Sequence, residues 1–418
     1  MRVLGLITEY NPFHNGHKYH IDKAKELTNS DYVIVIMSGN FVQRGTPAII
    51  DKYARTKMAL LNGADLVFEL PTSYSTASAE YFAHGAVSIL DKLSIVDCLC
   101  FGSESGDLKS LNSINNIIKE NKESLDLNIV KYLKQGFSFP SSRQKALNDI
   151  ANNNCNLITL NKEISSPNNI LSIEYLKALD TFNSKIEPVT IKRYGSDYHD
   201  KDINSIFSSA TSIRNNIEKY NTENDLTCTK SSLPSNVYEI LKNEYKVKFP
   251  ITMEDFTCII KYKLLSESSD SLSQYLDISY DLADRMKNNI DLNSNIEDLA
   301  LNIKTKNNTL TRINRSLIHL VLNIFQEDMD TYINNSYTPY ARLLGMKKES
   351  SKLLKEINNT GRIPIINKVS NAYKQLDKIG MKMLSNDIFA SDLYNQIVYE
   401  KYNTKLLSEY QHSIISSI

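Results

Sequence analysis

The chain has 418 residues, of which 41% are hydrophobic and 23% charged, and its 48 basic residues balance its 48 acidic ones. This is an ordinary globular composition, and it excludes a wholly basic nucleic-acid coat, so that any contact with nucleic acid must come from a local patch. The first residues turn polar too soon for a signal peptide, and no apolar run is long enough to cross a bilayer, which predicts a cytoplasmic protein with no membrane contact. Five cysteines without a Cys-x-x-Cys pair indicate reduced thiols rather than disulfides or a zinc site.

Strand and helix patterns alternate through the first hundred residues. Strands are predicted at 2–8, 32–37, 65–70 and 96–101, and helices at 16–27, 50–61 and 79–93. The strands are continuously apolar, and with helices between them they predict an α/β fold: a Rossmann-like parallel sheet covered by helices on both faces. A further strand is expected at 186–192.

The rest of the chain has a different pattern. Residues 107–160 are predicted to be mostly helical, with one long helix at 109–133. A stretch rich in Asn, Thr and Ser at 221–235 predicts a boundary between a catalytic domain, 1–220, and a mainly α-helical domain, 221–418. Helices are predicted there at 236–245, 253–266, 280–287 and 310–328.

The strongest motif is His14-Asn15-Gly16-His17, between the first strand and the first helix. A helix N-terminus offers unpaired N–H groups and partial positive charge to an anion. Gly16 lets the backbone approach a phosphate, and two imidazoles three residues apart can both donate hydrogen bonds to it. A phosphate-binding loop is therefore favoured over the alternative, a pair of packing histidines at a turn.

A second motif, Ser209-Ala210-Thr211-Ser212-Ile213-Arg214, opens a later helix. Alone it suits an N-cap followed by an exposed arginine. Together the two motifs resemble the nucleotidyltransferase superfamily that carries a His-x-Gly-His signature and a Ser/Thr-rich turn ending in Ile-Arg.

Longer stretches resemble one family in particular, the bacterial tRNA(Met) cytidine acetate ligases. These are 5–17, Met37-Ser38-Gly39-Asn40-Phe41-Val42-Gln43-Arg44-Gly45, Asp51-Lys52-Tyr53-Ala54-Arg55, Phe101-Gly102-Ser103-Glu104 and Ser166-Pro167-Asn168-Asn169-Ile170-Leu171. The likeness is strong over 1–215 and thinner at 339–344 and 362–364. At Leu171-Ser172 the chain departs mildly from the Leu-Gly that related nucleotidyltransferases often have.

The resemblance implies an ATP-dependent ligase. Acetate attacks the α-phosphate of ATP to give acetyl-adenylate, and the acetyl group passes to the wobble cytidine, position 34, of elongator tRNA(Met) as N4-acetylcytidine. The implied ATP contacts are Ile7, Thr8, Glu9, Tyr10, Asn11, Pro12, Phe13, His14, Asn15, Gly16, His17, Lys18, Tyr19, His20, Gly102, Asn168 and Arg193. The sequence does not identify the acetate pocket or an oligomeric state.

The residue chemistry fits positioning and charge neutralisation, because acetate and the cytidine amine are themselves the nucleophiles. His14 and His17 are expected to hold the α- and β-phosphates, and Arg193 or Arg214 to meet the departing pyrophosphate. Gly102 ends a strand at the carboxyl edge of the sheet, where ligands of open α/β folds bind. Asn168 suits either a contact with the ribose or base or plain turn chemistry after Pro167.

Several charged residues have two interpretations. Lys52 and Arg55 suit a solvated helix face, whereas Arg44, beside Gly45, is well placed for an anion such as acetate or a tRNA phosphate. Glu9 and Glu104 are candidate ligands for Mg²⁺, which otherwise arrives bound to the nucleotide.

Residues 341–380 hold a basic cluster flanked by Tyr340 and Tyr373. It contains Arg342, Lys347, Lys348, Lys352, Lys355, Arg362, Lys368, Lys374 and Lys378 against Glu349, Glu356 and Asp377. The excess suits either a phosphate track for RNA, with Arg312 and Arg315 as candidate extensions, or a solvated helix face.

Two other functions remain open on the N-terminal motifs alone. One is a small-molecule nucleotidyltransferase that transfers an adenylyl or cytidylyl group, and the other is a nucleotide-binding module without catalysis. About 200 further residues with a basic cluster favour a large RNA substrate, and the intact histidines favour catalysis.

Overall fold

A computed structural model describes residues 1–137, 139–152, 166–193, 208–219 and 226–417. Its centre is one mixed sheet. Its strands, with a short hairpin, are β1 (Val3–Thr8), β2 (Tyr32–Ser38), β3 (Phe41–Val42), β4 (Thr46–Pro47), β5 (Leu66–Leu70), β6 (Cys98–Ser103), β7 (Glu187–Lys192), β8 (Ala341–Lys347), β9 (Ile365–Ile366) and β10 (Ile415–Ser417). The order is β10-β8-β5-β2-β1-β6-β7, with β9 paired to β8, while β3 and β4 form the separate hairpin.

Helices and 3₁₀ turns cover both faces of the sheet. The α-helices are Asn15–Thr28, Lys52–Leu61, Thr72–Ser75, Ala79–Leu93, Leu108–Glu120, Lys122–Lys134, Phe139–Asn152, Pro167–Thr181, Ala210–Lys219, Ser235–Glu244, Thr257–Ser266, Ser269–Leu272, Tyr280–Asn288, Ile296–Ile303, Leu310–Leu322, Gln326–Asn334, Ser351–Thr360 and Lys378–Tyr402. No helix in the described part of the chain is long and apolar enough to cross a bilayer.

The strands are apolar throughout because both faces of the sheet are buried. Alternate residues pack into different cores: Ile34 and Ile36 of β2 belong to one, and Val33 and Val35 to the other. β1 pairs in parallel with β2 and with β6, which extend the sheet in opposite directions. The carboxyl end of β1 is therefore the topological switch point, where an open α/β sheet binds its ligand.

The predicted alternation of strands and helices is confirmed, and so is the α/β fold with its parallel centre. The sheet is not wholly parallel, because β8 runs antiparallel to β5. The predicted helix at 109–133 is two helices that meet at Asn121. The one predicted at 310–328 stops at Leu322, where Asn323 is left-handed and caps it.

The expected second domain is mainly helical, but it also returns to the sheet. β8, β9 and β10 all come from residues beyond 221–235 and extend the edge at β5. The predicted boundary partly overlaps residues 220–225, which lie outside the described residues. The two-domain division stays a prediction, and the sheet contains strands from both sides of it.

Gly45 brings the two halves of the chain together. It lies next to β3 and β4 with φ +72°, a conformation that L side chains rarely adopt. A Cβ there would meet the backbone of Asn314 and Arg315 in the helix Leu310–Leu322. Glycine is therefore required for this hairpin to pack on the C-terminal half.

Candidate active site

A cavity of about 660 Å³ lies at the carboxyl ends of β1, β6 and β7. Its size suits a small molecule or nucleotide. It is lined by Ile7, Thr8, Glu9, His14, Gly16, His17, Tyr19, His20, Gln43, Arg44, Ala79, Phe82, Phe101, Gly102, Pro167, Asn168, Ile170, Leu171, Tyr175, Ile191, Lys192, Arg193, Ser208, Ser209 and Thr311. The two sequence motifs, 190 residues apart, therefore both reach this cavity through residues of the histidine loop and through Ser209.

His14 and His17 cap the first helix with their own side chains. The backbone N–H of Gly16 donates to His14 Nδ1 over 3.0 Å, and the backbone N–H of His14 donates to His17 Nδ1 over 3.3 Å. The two rings stack at 3.7 Å between centroids. Since each Nδ1 accepts a hydrogen bond, each neutral ring carries its proton on Nε2. Both imidazoles are therefore held as Nε2–H donors at a helix N-terminus.

Burial keeps these histidines neutral. Burial, with the positive charge of Arg193 and Arg214, lowers the pKa of His14 to about 3. Burial likewise lowers the pKa of His17 well below its usual range and that of His20 to about 4. At neutral pH the site therefore offers neutral donors, and its positive charge comes from arginines.

Three arginines influence one another around the cavity. Burial lowers the pKa of Arg44 and of Arg214, and Glu9 opposes the shift in both cases. Burial also lowers the pKa of Arg193, with Arg44 adding to the effect. Their charged forms are disfavoured by burial and by each other, a cost that a bound polyanion would relieve.

Arg193 is held by a chain of polar contacts. Its guanidinium donates to Asn168 Oδ1 over 3.0 Å, and Asn168 Nδ2 donates to Glu104 Oε1 over 2.7 Å. Its alkyl chain lies over Gly102, where an added Cβ would come within 3.1 Å of Arg193 Cγ. Gly102, Asn168 and Arg193, three separate sequence predictions, are thus in mutual reach at one side of the cavity.

Glu104 is not positioned as a metal ligand. Its carboxylate accepts hydrogen bonds from the backbone N–H groups of Asn168 and Asn169, at 3.1 and 2.8 Å, and so caps the helix Pro167–Thr181. Glu9 Oε1 accepts from the backbone of Gln43 over 2.9 Å. In the described ranges no three His, Cys, Asp or Glu residues are grouped to hold a metal ion.

The predicted nucleotide loop divides into two sets. Ile7, Thr8, Glu9, His14, Gly16, His17, Tyr19 and His20 line the cavity. The others, Tyr10, Asn11, Pro12, Phe13, Asn15 and Lys18, are not part of its lining.

The second set shapes the loop. Tyr10 and Phe13 are buried and pack on the ring of His17. Asn11 Oδ1 accepts from the backbone of Ile49 over 2.8 Å. Lys18 pairs with Asp22 at 2.7 Å on the exposed helix face.

Arg214 likewise acts from behind the loop. It is absent from the cavity lining, and its guanidinium donates to the backbone carbonyl of Asn11 over 2.7 Å and to the Thr211 hydroxyl over 3.2 Å. The second motif thus holds the loop of the first motif in place, and the positive charge of Arg214 helps to lower the pKa of His14.

Lys52 and Arg55 are not on a solvated face, because both are fully buried. Arg55 donates to the backbone carbonyls of Glu9, Ser38, Gly39 and Ile50 and so ties the histidine loop to the end of β2.

Lys52 belongs to a buried charge cluster formed by Lys52, Glu69, Arg342 and Glu409. Lys52 Nζ lies 2.7 Å from Glu69 and 3.0 Å from Glu409, and Arg342 pairs with both carboxylates. None of the four lines the cavity.

The basic cluster at 341–380 loses members for the same reason. Arg342 is buried, and the flanking Tyr340 is buried with its hydroxyl bonded to Asp387. Arg315 pairs with Asp277 at 2.8 Å, and Arg312 donates to the Asp277 carbonyl, so neither extends the patch. Seven basic side chains of the cluster are exposed: Lys348, Lys352, Lys355, Arg362, Lys368, Lys374 and Lys378.

Part of the cavity wall was not predicted from the sequence. Phe82, Tyr175 and Thr311 come from three helices far apart in the chain. Only one local signal was available: a helix that starts after a parallel strand places its first turn at the ligand edge of the sheet.

Comparisons with known proteins cover nearly the whole chain. Residues 1–409 match the family described as HIGH Nucleotidyl Transferase. A tRNA(Met) cytidine acetate ligase of Acetivibrio thermocellus is 40% identical over 416 residues, which is 99% of this chain and 100% of that protein. One from Thermoanaerobacter sp. is 42% identical over 395 residues, 94% and 95% of the two chains.

Solved structures give the same result. The crystal structure of Thermotoga maritima TmcAL bound with alpha-thio ATP superimposes with a TM-score of 0.89 at 31% identity, covering 100% of this chain and 99% of that one. The apo form of the same protein gives 0.91 at the same identity and coverage.

Proposed function

Because this chain belongs to the HIGH nucleotidyl transferase family and, within it, to the tRNA(Met) cytidine acetate ligases, we propose that it joins acetate to the wobble cytidine of elongator tRNA(Met) at the expense of ATP. The product is N4-acetylcytidine at position 34. The observation that carries the proposal is the pair of histidines that cap the first helix. Their Nδ1 atoms accept the capping hydrogen bonds, which leaves their Nε2–H groups as donors beside a nucleotide-sized cavity.

In the first step a carboxylate oxygen of acetate attacks the α-phosphorus of ATP, and the bond to the bridging oxygen of pyrophosphate breaks. Negative charge builds up on the phosphoryl oxygens. His14 and His17 stabilise it through Nε2–H donors that are already oriented by the capping bonds. Arg193, with Arg44 and Arg214 nearby, balances the charge of the leaving pyrophosphate.

In the second step the exocyclic amine of the cytidine attacks the acetyl carbonyl carbon. The bond to the adenylate oxygen breaks, AMP leaves, and the new amide nitrogen loses a proton. No protein nucleophile is needed, so the protein's contribution is to hold the two reactants together and keep out water.

The partners follow from this chemistry. Mg²⁺ is proposed to enter with the triphosphate as part of the ATP substrate, since Glu104 caps the helix Pro167–Thr181 and Glu9 Oε1 accepts a hydrogen bond from the backbone of Gln43. The exposed lysines of the basic cluster are the proposed phosphate contacts for tRNA. The cytoplasm is the proposed location, because ATP and tRNA are both present there.

The test uses the full-length protein with ATP, labelled acetate and unmodified tRNA(Met), followed by digestion of the RNA to nucleosides. We expect label in N4-acetylcytidine only when ATP is present. Acetate-dependent exchange of labelled pyrophosphate into ATP reports the first step without tRNA. Exchange driven by a phosphorylated small molecule and not by acetate would instead support a small-molecule nucleotidyltransferase.

A further inference from the structure

Part of the cavity wall is aromatic, and its residues are not among the ATP contacts that the family resemblance implies. Phe82, Phe101 and Tyr175 line it, although each is only 2–4% exposed. The rings of Phe101 and Tyr175 lie 5.6 Å apart between centroids, tilted by 41°. Ala79 and Leu171 complete this surface, which we call the aromatic wall.

The aromatic wall lies on the opposite side of the sheet from the histidine loop. Its three rings belong to the core that contains Ile34 and Ile36. Tyr10 and Phe13 of the loop belong to the core on the other face. A ligand that is held at its α-phosphate by the histidines and crosses the end of β1 therefore meets the wall with a group attached to that phosphate.

The helix that carries Tyr175 is held in place by polar contacts. Glu174, the neighbour of Tyr175, is buried and pairs with Arg143 at 2.8 Å and with Lys177 at 2.7 Å. The helix Pro167–Thr181 is also capped by Glu104. Because protein interiors are close-packed, a buried wall of this kind discriminates between ligands by size.

Tyr175 adds one polar group to this surface. No hydrogen bond joins its hydroxyl to another group among the residues that the structure places. Burial, reinforced by the negative charge of Glu9, raises its pKa, so the hydroxyl stays protonated and is a hydrogen-bond donor. An oxygen atom on the ligand is the natural acceptor.

Another part of the same cavity is lined by polar side chains, and we call it the polar mouth. Gln43 and Arg44 come from the hairpin after β2, and Thr311 from the first turn of Leu310–Leu322 in the C-terminal half. Thr311 is exposed. A polymer approaching from the C-terminal half would enter here, which leaves the enclosed aromatic wall to a smaller group.

We propose that the aromatic wall holds the acyl group of the carboxylic acid: Phe82 and Phe101 enclose its methyl end, and the Tyr175 hydroxyl donates to a carboxyl oxygen. This assignment rests on the proposed function, because it names the acid-selecting part of the same site. Acetate fits against the wall and a longer acid is excluded by Phe82.

The test measures pyrophosphate exchange driven by acetate, propionate or butyrate, with no tRNA present. Phe82→Val opens space beside the methyl group, and we expect the ratio of kcat/KM for propionate over acetate to rise about tenfold or more, as one methylene usually allows. Phe256→Val is the matched control, because Phe256 is equally buried but does not line the cavity. It should leave the ratio unchanged.

Tyr175→Phe is a second, gentler variant that removes only the hydroxyl. We expect KM for acetate to rise about tenfold, as for a lost hydrogen bond to a charged group, with KM for ATP within about twofold of wild type. It keeps the proposal testable should Phe82→Val fold poorly.

The outcomes are separable from failure of the proposed function. A wild-type protein without acetate-dependent exchange or acetylated RNA would refute that function itself. With an active wild type, an unchanged acid ratio in Phe82→Val overturns the aromatic-wall assignment. So does a rise in KM for ATP, which would place the nucleotide there, or a defect confined to tRNA acetylation, which would place the cytosine ring there.

Discussion

Two regions of this molecule bury positive charge, and they do so in opposite ways. In the buried charge cluster, two cations face two carboxylates. Burial disfavours the charged form of Lys52, but Glu409 and Glu69 raise its pKa above the usual value. The same two carboxylates raise the pKa of Arg342 against the effect of burial. At the cavity, the pKa values of Arg44, Arg193 and Arg214 are lowered by burial.

The difference separates a structural site from a binding site. The buried charge cluster is compensated within the protein and joins the C-terminal tail, through Glu409, to the helix Lys52–Leu61 and to β5. The cavity concentrates guanidinium groups and neutral imidazole donors around few carboxylates, so a polyanion completes it. Breaking the first should cost stability, and breaking the second should cost activity.

The largest expected effect is on the stability of the buried charge cluster. Lys52→Met leaves Glu69 and Glu409 buried with one cation between them, so the free energy of unfolding should fall by about 3–5 kcal/mol. Urea denaturation measures it. Lys18→Met, which removes an exposed pair with Asp22, should change stability by less than about 1 kcal/mol. Equal losses from both variants would contradict the comparison.

The next effect is on catalysis at the cavity. His14→Ser keeps an oxygen that can cap the helix but removes the Nε2–H donor. Acetate-dependent pyrophosphate exchange should fall by about 10²–10³-fold, as for a lost oxyanion donor, with thermal stability and tRNA binding close to wild type. Retained exchange with lost tRNA binding would show that the loop serves the RNA rather than the phosphates.

A pH dependence follows from the buried neutral histidines. In the unfolded chain, His14 takes up a proton as the pH falls below 6.5. In the folded protein its imidazole stays neutral down to about pH 3. Folding therefore becomes less favourable toward acid, by about 2 kcal/mol between pH 7.5 and 5 for this group. Over that pH range the free energy of unfolding of His14→Ser, measured by urea titration, should fall less steeply than that of the wild type. A pH profile parallel to that of the wild type would contradict a buried, neutral His14.

The smallest effect is expected at the exposed lysines. Changing Lys348, Lys352 and Lys355 together to Ala should raise KM for tRNA about fivefold and weaken its salt dependence, with pyrophosphate exchange unchanged. The control changes three exposed lysines elsewhere, Lys119, Lys131 and Lys134. If both triple variants behave alike, the basic cluster is a solvated helix face.

Local patterns in the sequence were enough to predict the strands at 32–37 and 65–70, the helix at 79–93 and the role of the histidine loop as a helix N-terminus. Each depends on residues adjacent in the chain, where apolar runs, caps and glycine act locally. The resemblance of the two motifs to the nucleotidyltransferase signatures was also enough to predict that they serve one site. Arg44 was predicted near an anion from its place beside Gly45, and it does line the cavity.

Long-range pairing was beyond the sequence. Lys52 and Arg342 have the local pattern of solvated residues. Only the folded sheet shows that these two residues, 290 positions apart in the chain, pair with the same carboxylates. Phe82, Phe101 and Tyr175 resemble ordinary core residues, because their place at a cavity depends on how two helices meet one strand end. The sequence by itself determined the proposed phosphate-binding loop, since that loop is built from one turn of chain. The tertiary structure alone decided which charges are compensated and which surround the cavity, because that depends on partners contributed by distant segments.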